Sequence, residues 1–294
     1  MRKMPSWSSA TAREGMTAPE ALKRAADAIA GAGSLFVTAG AGMGVDSGLP
    51  DFRGPEGFWR AYPVFAKLGI RFEEAANPRW FREDPALAWG FYGHRLELYR
   101  RTAPHAGFGI LSRWAARTPS GAFVFTSNVD GHFQAAGFDR ERIVECHGSI
   151  HFLQCVAACH EGIFPADPFR VEIDAATGRA REPFPACPGC GRLARPNILM
   201  FGDWGWLGSR SEAQEARLDE WRGGAEGPLV IVECGAGLGV PTVRMFGERA
   251  AALNRGTLIR INPRDPESGI PARTVSVRSG ALAALREIDA LLAL

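Results

Sequence analysis

Ser34-Leu35-Phe36-Val37-Thr38, followed after one residue by Gly40-Ala41-Gly42-Met43-Gly44, is the stretch from which the fold can be read. The first part is a short apolar run of strand type, and the second is a glycine turn in which the backbone can bend sharply and approach a phosphate closely. Just upstream, Thr17-Ala18-Pro19-Glu20 offers a capping box with proline in the first turn. Leu22, Ala25, Ala26 and Ile29 follow at helical spacing, and Gly31 is a stop. Downstream, buried-strand runs recur at Ala122 to Thr126, Arg142 to Cys146, Leu229 to Glu233, Thr257 to Ile261 and Thr274 to Val277, several of them separated by helical patterns. Such alternation predicts an α/β fold: a Rossmann-like parallel sheet with helices on both faces.

Two stretches break the rhythm. Pro55 to Pro104 is aromatic-rich and helical in pattern, and His151 to Pro196 is turn-rich and carries paired cysteines. The expected organisation is a Rossmann-like domain from 18–53, 106–150 and 197–294. A smaller domain is inserted into it, made of a helical module over 54–105 and a zinc-binding module over 151–196. Residues 1–17 read as a disordered polar tail. The closing segment Ala281 to Leu294 has leucines and Ile288 on one side of a helix that packs back onto the sheet.

With 294 residues, 46% of them hydrophobic, the chain can bury a large core and a satellite. A formal charge of +2 gives no reason to expect a nucleic-acid partner. No apolar stretch reaches the roughly 18 residues of a membrane span, and the first thirty residues lack a secretory core, so a cytoplasmic protein is the expectation. Six cysteines do not form a secreted scaffold here, since four fall into two close pairs. Cys155-x₃-Cys159 and Cys187-x₂-Cys190 supply the thiolates of a closed tetrahedral structural Zn2+ site, with the intervening excursion around Pro165 to Phe184 expected to loop out. Cys146 and Cys234 lie in strand-like runs and read as core packing.

Gly40 and Gly42 lack the third glycine of the usual dinucleotide fingerprint, so the turn alone leaves a plain structural turn open. The longer stretch from Gly40 through Ser47-Gly48-Leu49-Pro50-Asp51-Phe52-Arg53-Gly54 resembles the NAD-site motif of the sirtuin (Sir2-like) family of NAD-dependent protein lysine deacylases. The resemblance continues in order through Thr126-Ser127-Asn128-Val129-Asp130-Gly131, Glu145-Cys146-His147-Gly148-Ser149, the cysteine pairs, Arg195-Pro196-Asn197 to Phe201-Gly202-Asp203, and Ile261-Asn262-Pro263. It covers roughly residues 18 to 294.

What the resemblance implies is specific. Gly40, Ala41, Gly42, Ser127, Gly235, Ala236, Gly237 and Asn262 line the NAD site, and Asp51, Phe52 and Arg53 form a loop closing over NAD. Asn128 and Asp130 orient the ribose and hold the nicotinamide carboxamide. His147 is the general base, a role suited to an imidazole of pKa about 6.5. The implied reaction starts when the acyl oxygen of an acylated-lysine protein substrate attacks the ribose carbon and expels nicotinamide; His147 then activates a ribose hydroxyl to attack the resulting imidate, and the products are free lysine, nicotinamide and O-acyl-ADP-ribose. Tyr92 and Arg95, three apart on one helix face, resemble the Tyr-x-x-Arg pair with which the desuccinylase and demalonylase branch grips an acidic acyl group.

Departures keep alternatives open. Ser127 stands where the family usually has glutamine, Gly44 where it has serine, and Gly235-Ala236-Gly237 where it has Gly-Thr-Ser. The segment Phe201-Gly202-Asp203-Trp204 also differs from the usual peptide-binding loop. Deacetylation or removal of acidic acyl groups is therefore weighed against ADP-ribosyl transfer or NAD hydrolysis, and against a non-catalytic NAD-binding module.

Overall fold

The computed structural model of the chain describes residues 17–50, 54–160 and 162–293. Apart from Thr17, the expected tail over 1–17 lies outside the described residues. Nine strands are found among the described residues: β1 (Ser34–Ala39), β2 (Ala122–Thr126), β3 (Ile143–Glu145), β4 (Gly148–Cys155), β5 (Ile163–Pro165), β6 (Ala194–Ile198), β7 (Leu229–Cys234), β8 (Thr257–Ile261) and β9 (Thr274–Val277). Six of them make the frame, a sheet in the order β3-β2-β1-β7-β8-β9 with every pairing parallel. Three consecutive strands spread one way from β1 and three the other way from β7, so the order reverses between β1 and β7. Open parallel sheets bind ligands beyond the carboxyl ends of their strands at such a reversal.

Alternation along β1 explains the layering. Leu35, Val37 and Ala39 point into a core closed by the helices Ala18–Ala30, Ala106–Arg117 and Ala281–Leu292. Phe36 points the other way, into a core shared with Leu218 and Trp221 of the Ser209–Gly224 helix and with Val243 and Ala250 of the Thr242–Leu253 helix. β3 is shorter than expected because Arg140–Arg142 closes into a 3-10 turn. The first helix begins as read: Glu20 Oε2 accepts from the Thr17 N–H at 2.9 Å.

The other three strands form an antiparallel sheet ordered β5-β4-β6. It shares a separate core with the aromatic helical stretch, including Phe58, Trp89, Phe91 and Tyr92 packed with Ile150 and Leu153.

The excursion around Pro165 to Phe184, expected to loop out, instead folds back. Ala166, Val171 and Ala180 enter this core. The Ala180 N–H donates to the Ala86 carbonyl at 2.8 Å, and the Arg100 guanidinium donates to the carbonyls of Ala166 and Phe169 at 2.8 and 3.0 Å. Scattered apolar residues and a long-range arginine satisfy the segment, neither of which has a local period to read. Among the described residues no helix is long and apolar enough to cross a membrane.

Candidate active site at the sheet reversal

Two glycine turns meet backbone to backbone where the strand order reverses. Gly40 N–H donates to the Cys234 carbonyl and Gly42 N–H to the Gly235 carbonyl, each at 3.0 Å. Gly235 has φ +64, and a Cβ there would lie 2.3 Å from the Met43 nitrogen, so only glycine allows this contact. Ala236 is buried, Gly237 half-buried, and Ala41 is exposed at the rim. One expectation shifts: the N–H groups of Gly42, Met43 and Gly44 all bond within the protein. They hold the turns together, so the turn is less of an open anion cradle than its sequence suggests.

Asn128 joins the next strand to this turn. The Thr126 hydroxyl donates to the Ala39 carbonyl and accepts from the Asn128 N–H, both at 3.0 Å. The Asn128 side-chain amide then donates to the Gly40 carbonyl at 3.0 Å. Ser127 and Asn128 stay half-exposed at the strand end. Asp130 is buried; one carboxylate oxygen accepts from the His132 N–H at 2.9 Å. The other lies 3.6 Å from where a Cβ on Gly44 would sit. That is the position where the resemblance expects serine.

Asn262 sits at the end of β8 and is fully buried. Its amide donates to the Ala236 carbonyl at 2.8 Å, and its oxygen accepts from the N–H groups of Arg264 and Asp265 at 2.9 Å each. Its side chain shapes the second turn from beneath. Asp51, Phe52 and Arg53 lie outside the described residues.

His147 follows β3, whose last residue pairs with Thr126. Its ring has no hydrogen bond among the described residues, and burial holds its pKa below the usual imidazole value. Its backbone is fixed from two sides. On one side, Leu199 N–H donates to the His147 carbonyl at 2.9 Å. On the other, three residues of the Ser209–Gly224 helix grip Glu145: Gln214 accepts from its N–H at 3.0 Å, Ser211 donates to its carbonyl at 2.8 Å, and Arg210 pairs with its buried carboxylate. Gly148, at φ +75, passes so close to the Asn197 carbonyl that a Cβ would lie 2.1 Å from it. Sequence reading missed this grip, because its buried helix face includes Ser211 and Gln214, which no hydrophobic period marks.

The four sulfurs of Cys155, Cys159, Cys187 and Cys190 lie within 4.8 Å of one another. Cys155 to Cys190 is 3.7 Å and Cys159 to Cys187 is 3.6 Å. A tetrahedral zinc with Zn–S near 2.3 Å requires S···S edges of about 3.8 Å, so the quartet fits that ion. The site also has a neighbour that spacing did not flag: Gly162 N–H donates to His160 Nδ1 at 2.7 Å, leaving Nε2 to donate to the Cys187 sulfur at 3.3 Å. Of the two remaining cysteines, Cys234 is buried as expected and Cys146 is half-buried, with burial pushing its thiol up to about 12.

Tyr92 and Arg95 are both buried on the Pro85–Arg101 helix. The chain has three tyrosines, Tyr62, Tyr92 and Tyr99, and all three act electrostatically on Arg95. Two guanidinium nitrogens donate to the Tyr99 hydroxyl at 3.1 and 2.8 Å, and the guanidinium carbon lies 5.2 Å from the Phe91 ring and 5.7 Å from the Tyr92 ring. Burial raises the Tyr92 pKa against the opposing Arg95 charge, so it remains a phenol. Its buried hydroxyl has no hydrogen-bond partner among the described residues. Burial likewise raises Tyr99, Arg95 opposes, and the Asp130 carboxylate adds to the rise, which sets this cage within electrostatic reach of the strand-end site.

Comparison with known proteins agrees with this geometry. A sequence model of the Sir2 family matches residues 40–215. The NAD-dependent protein deacylase 1 of Pseudomonas aeruginosa is 30% identical over 246 residues, 83% of this chain and 88% of its own. An NAD-dependent protein deacylase of Thermus thermophilus is 29% identical over 266 residues, 90% and 92% of the two chains. A crystal structure of a Sir2 homolog–NAD complex superposes with a TM-score of 0.68 at 24% identity, covering 92% of this chain and 93% of that one, and so shares its fold.

Proposed function

The chain belongs to the Sir2 family, and we propose that it is an NAD-dependent protein deacylase that removes acyl groups from lysine side chains. The reading is carried by the bond from the Asn128 amide to the Gly40 carbonyl, which ties the β2 end to the turn at the sheet reversal, with the unpaired His147 ring beyond the adjacent strand. NAD supplies an electrophilic ribose carbon bearing nicotinamide as its leaving group. The Gly40–Gly42 and Gly235–Gly237 turns, supported by Asn262, would hold its diphosphate and adenosine side, and Ser127, Asn128 and Asp130 its nicotinamide riboside. Asp51, Phe52 and Arg53 are assigned to closing that site by resemblance alone.

His147 accepts the proton of a ribose hydroxyl. Its lowered pKa keeps the ring neutral and able to do so near pH 7. Asn128, tied at its backbone and side chain, orients the reacting sugar. Residues 54–105 and 151–196 are read as the small domain, in which Cys155, Cys159, Cys187 and Cys190 hold a structural zinc that keeps β4 and β6 together and takes no part in proton transfer.

The acyl group is read as an acidic one. A partnerless buried phenol beside a caged guanidinium offers a donor and a cation of the kind a malonyl or succinyl carboxylate needs. The test is incubation with NAD and acetyl-, malonyl- and succinyl-lysine peptides. O-acyl-ADP-ribose is expected from the acidic peptides and should vanish in His147→Ala. ADP-ribosylated protein without deacylation would assign transferase chemistry instead.

A further inference from the structure

Of the six histidines, His105 is one that the chemistry above leaves unused, yet it is bonded directly to the first glycine turn. It stands just before the Ala106–Arg117 helix, and its backbone N–H donates to the Ser47 hydroxyl oxygen at 3.0 Å. Its ring Nδ1 accepts from the Gly107 N–H at 3.0 Å, which caps the helix and leaves the ring proton on Nε2. That second nitrogen donates to the Met43 carbonyl at 2.9 Å. Burial holds the His105 pKa below the usual imidazole value, in keeping with a neutral ring that donates from one flank and accepts on the other. Gly107 makes room for this ring: a Cβ there would lie 2.5 Å from His105 Cε1.

The carbonyl that receives the bond belongs to a residue at the junction of the two glycine turns. Met43 is fully buried, and its N–H donates to the Gly40 carbonyl at 3.0 Å. The same nitrogen is the atom that a Cβ on Gly235 would meet at 2.3 Å. Met43 therefore has its amide against the second turn and its carbonyl on His105. Ser47, which His105 holds through its backbone, donates its own N–H to the Gly44 carbonyl at 3.0 Å. One residue thus grips the short Gly42–Val45 helix within its span and just beyond its end.

We infer that His105 is a positioning residue for NAD, whose bond from Nε2 to the Met43 carbonyl holds the Gly40–Gly44 turn against the Gly235–Gly237 turn in the conformation to which the diphosphate binds. The inference rests on the reading that places the diphosphate at these turns, and it adds a residue from a neighbouring helix start. A turn already fixed in one conformation loses less freedom when a ligand binds, so the tether acts on affinity.

Two substitutions separate the tether from the helix cap. His105→Ser keeps a capping hydroxyl that is too short to reach Met43, whereas His105→Gln gives up the ring acceptor but carries an amide N–H about as far from the backbone as Nε2. ADP-ribose binding is measured by calorimetry on the whole chain, at a temperature where thermal unfolding shows wild type and both variants folded. The Ser variant is expected to bind about fivefold more weakly than wild type, the worth of one hydrogen bond. The Gln variant should stay within about twofold of wild type, because it restores that one bond. A residue that served only the helix would make affinity follow the unfolding midpoint across the two variants instead. Wild-type affinity in His105→Ser, or a loss in His105→Gln as large as in His105→Ser, overturns the tether and leaves the NAD site standing. Failure of wild type to bind ADP-ribose removes the placement of the diphosphate and the proposal with it.

Discussion

The N–H of Leu199 donates to the carbonyl of His147 at 2.9 Å. It closes one end of a two-stranded ribbon. Gly148 pairs with Ile198 at that end, and Cys155, a candidate zinc ligand, pairs with Ala194 at the other. The candidate base and the cysteine quartet are therefore opposite ends of one piece of backbone.

Metal removal should accordingly act at a distance. Structural zinc can contribute on the order of 10 kcal/mol to the fold of the module that binds it. Chelation, or Cys187→Ser, is expected to fray the ribbon and abolish turnover, whereas NAD binding by calorimetry falls much less, because both glycine turns belong to the other sheet. Full turnover by metal-free protein would contradict this.

His147→Ala should lower turnover by about 100- to 10,000-fold, the usual worth of a positioned general base. A general base works as the neutral ring, and burial depresses the folded pKa of His147. That form therefore predominates at pH 7 and is lost as pH falls through the lowered value. The acid limb of kcat/KM for NAD is expected below about pH 6.5; a limb at or above that value argues against a buried imidazole.

Arg95→Met and Tyr92→Phe are expected to cost about 10- to 100-fold in kcat/KM on succinyl- and malonyl-lysine peptides, by loss of charge-assisted bonds. They should cost far less on acetyl-lysine. An equal loss on all three peptides would mean that the aromatic cage serves only packing.

Gly235→Ala meets two obstacles, a left-handed backbone worth about 1–3 kcal/mol and a contact 2.3 Å from the Met43 nitrogen. Denaturant unfolding should show a loss above about 2 kcal/mol, and NAD affinity should fall with it. An unchanged midpoint would show that the two turns separate freely.

Arg210→Met strips the buried Glu145 carboxylate of its counter-charge and should cost about 3–5 kcal/mol. Adding Glu145→Gln should restore most of the stability. If the double variant is no better than the single one, the pair is not what fixes the Glu145 turn.

The sequence alone determined the sheet, the first helix, the glycine turn and the cysteine quartet, since each depends on local stereochemistry or on a period that neighbouring residues carry. The strand runs alternate with helices, glycine follows β1, and thiolates come in close pairs. Only the tertiary structure decided that three tyrosines from separate turns surround Arg95 and that Arg210, Ser211 and Gln214 grip the residue two before His147. It also decided that the N–H groups of Gly42 to Gly44 are taken up within the protein and that the Pro165 to Phe184 excursion packs inward. Those features are contacts between residues far apart in the chain, often polar on both sides, and a polar residue carries no periodic mark of being buried until its partner is known.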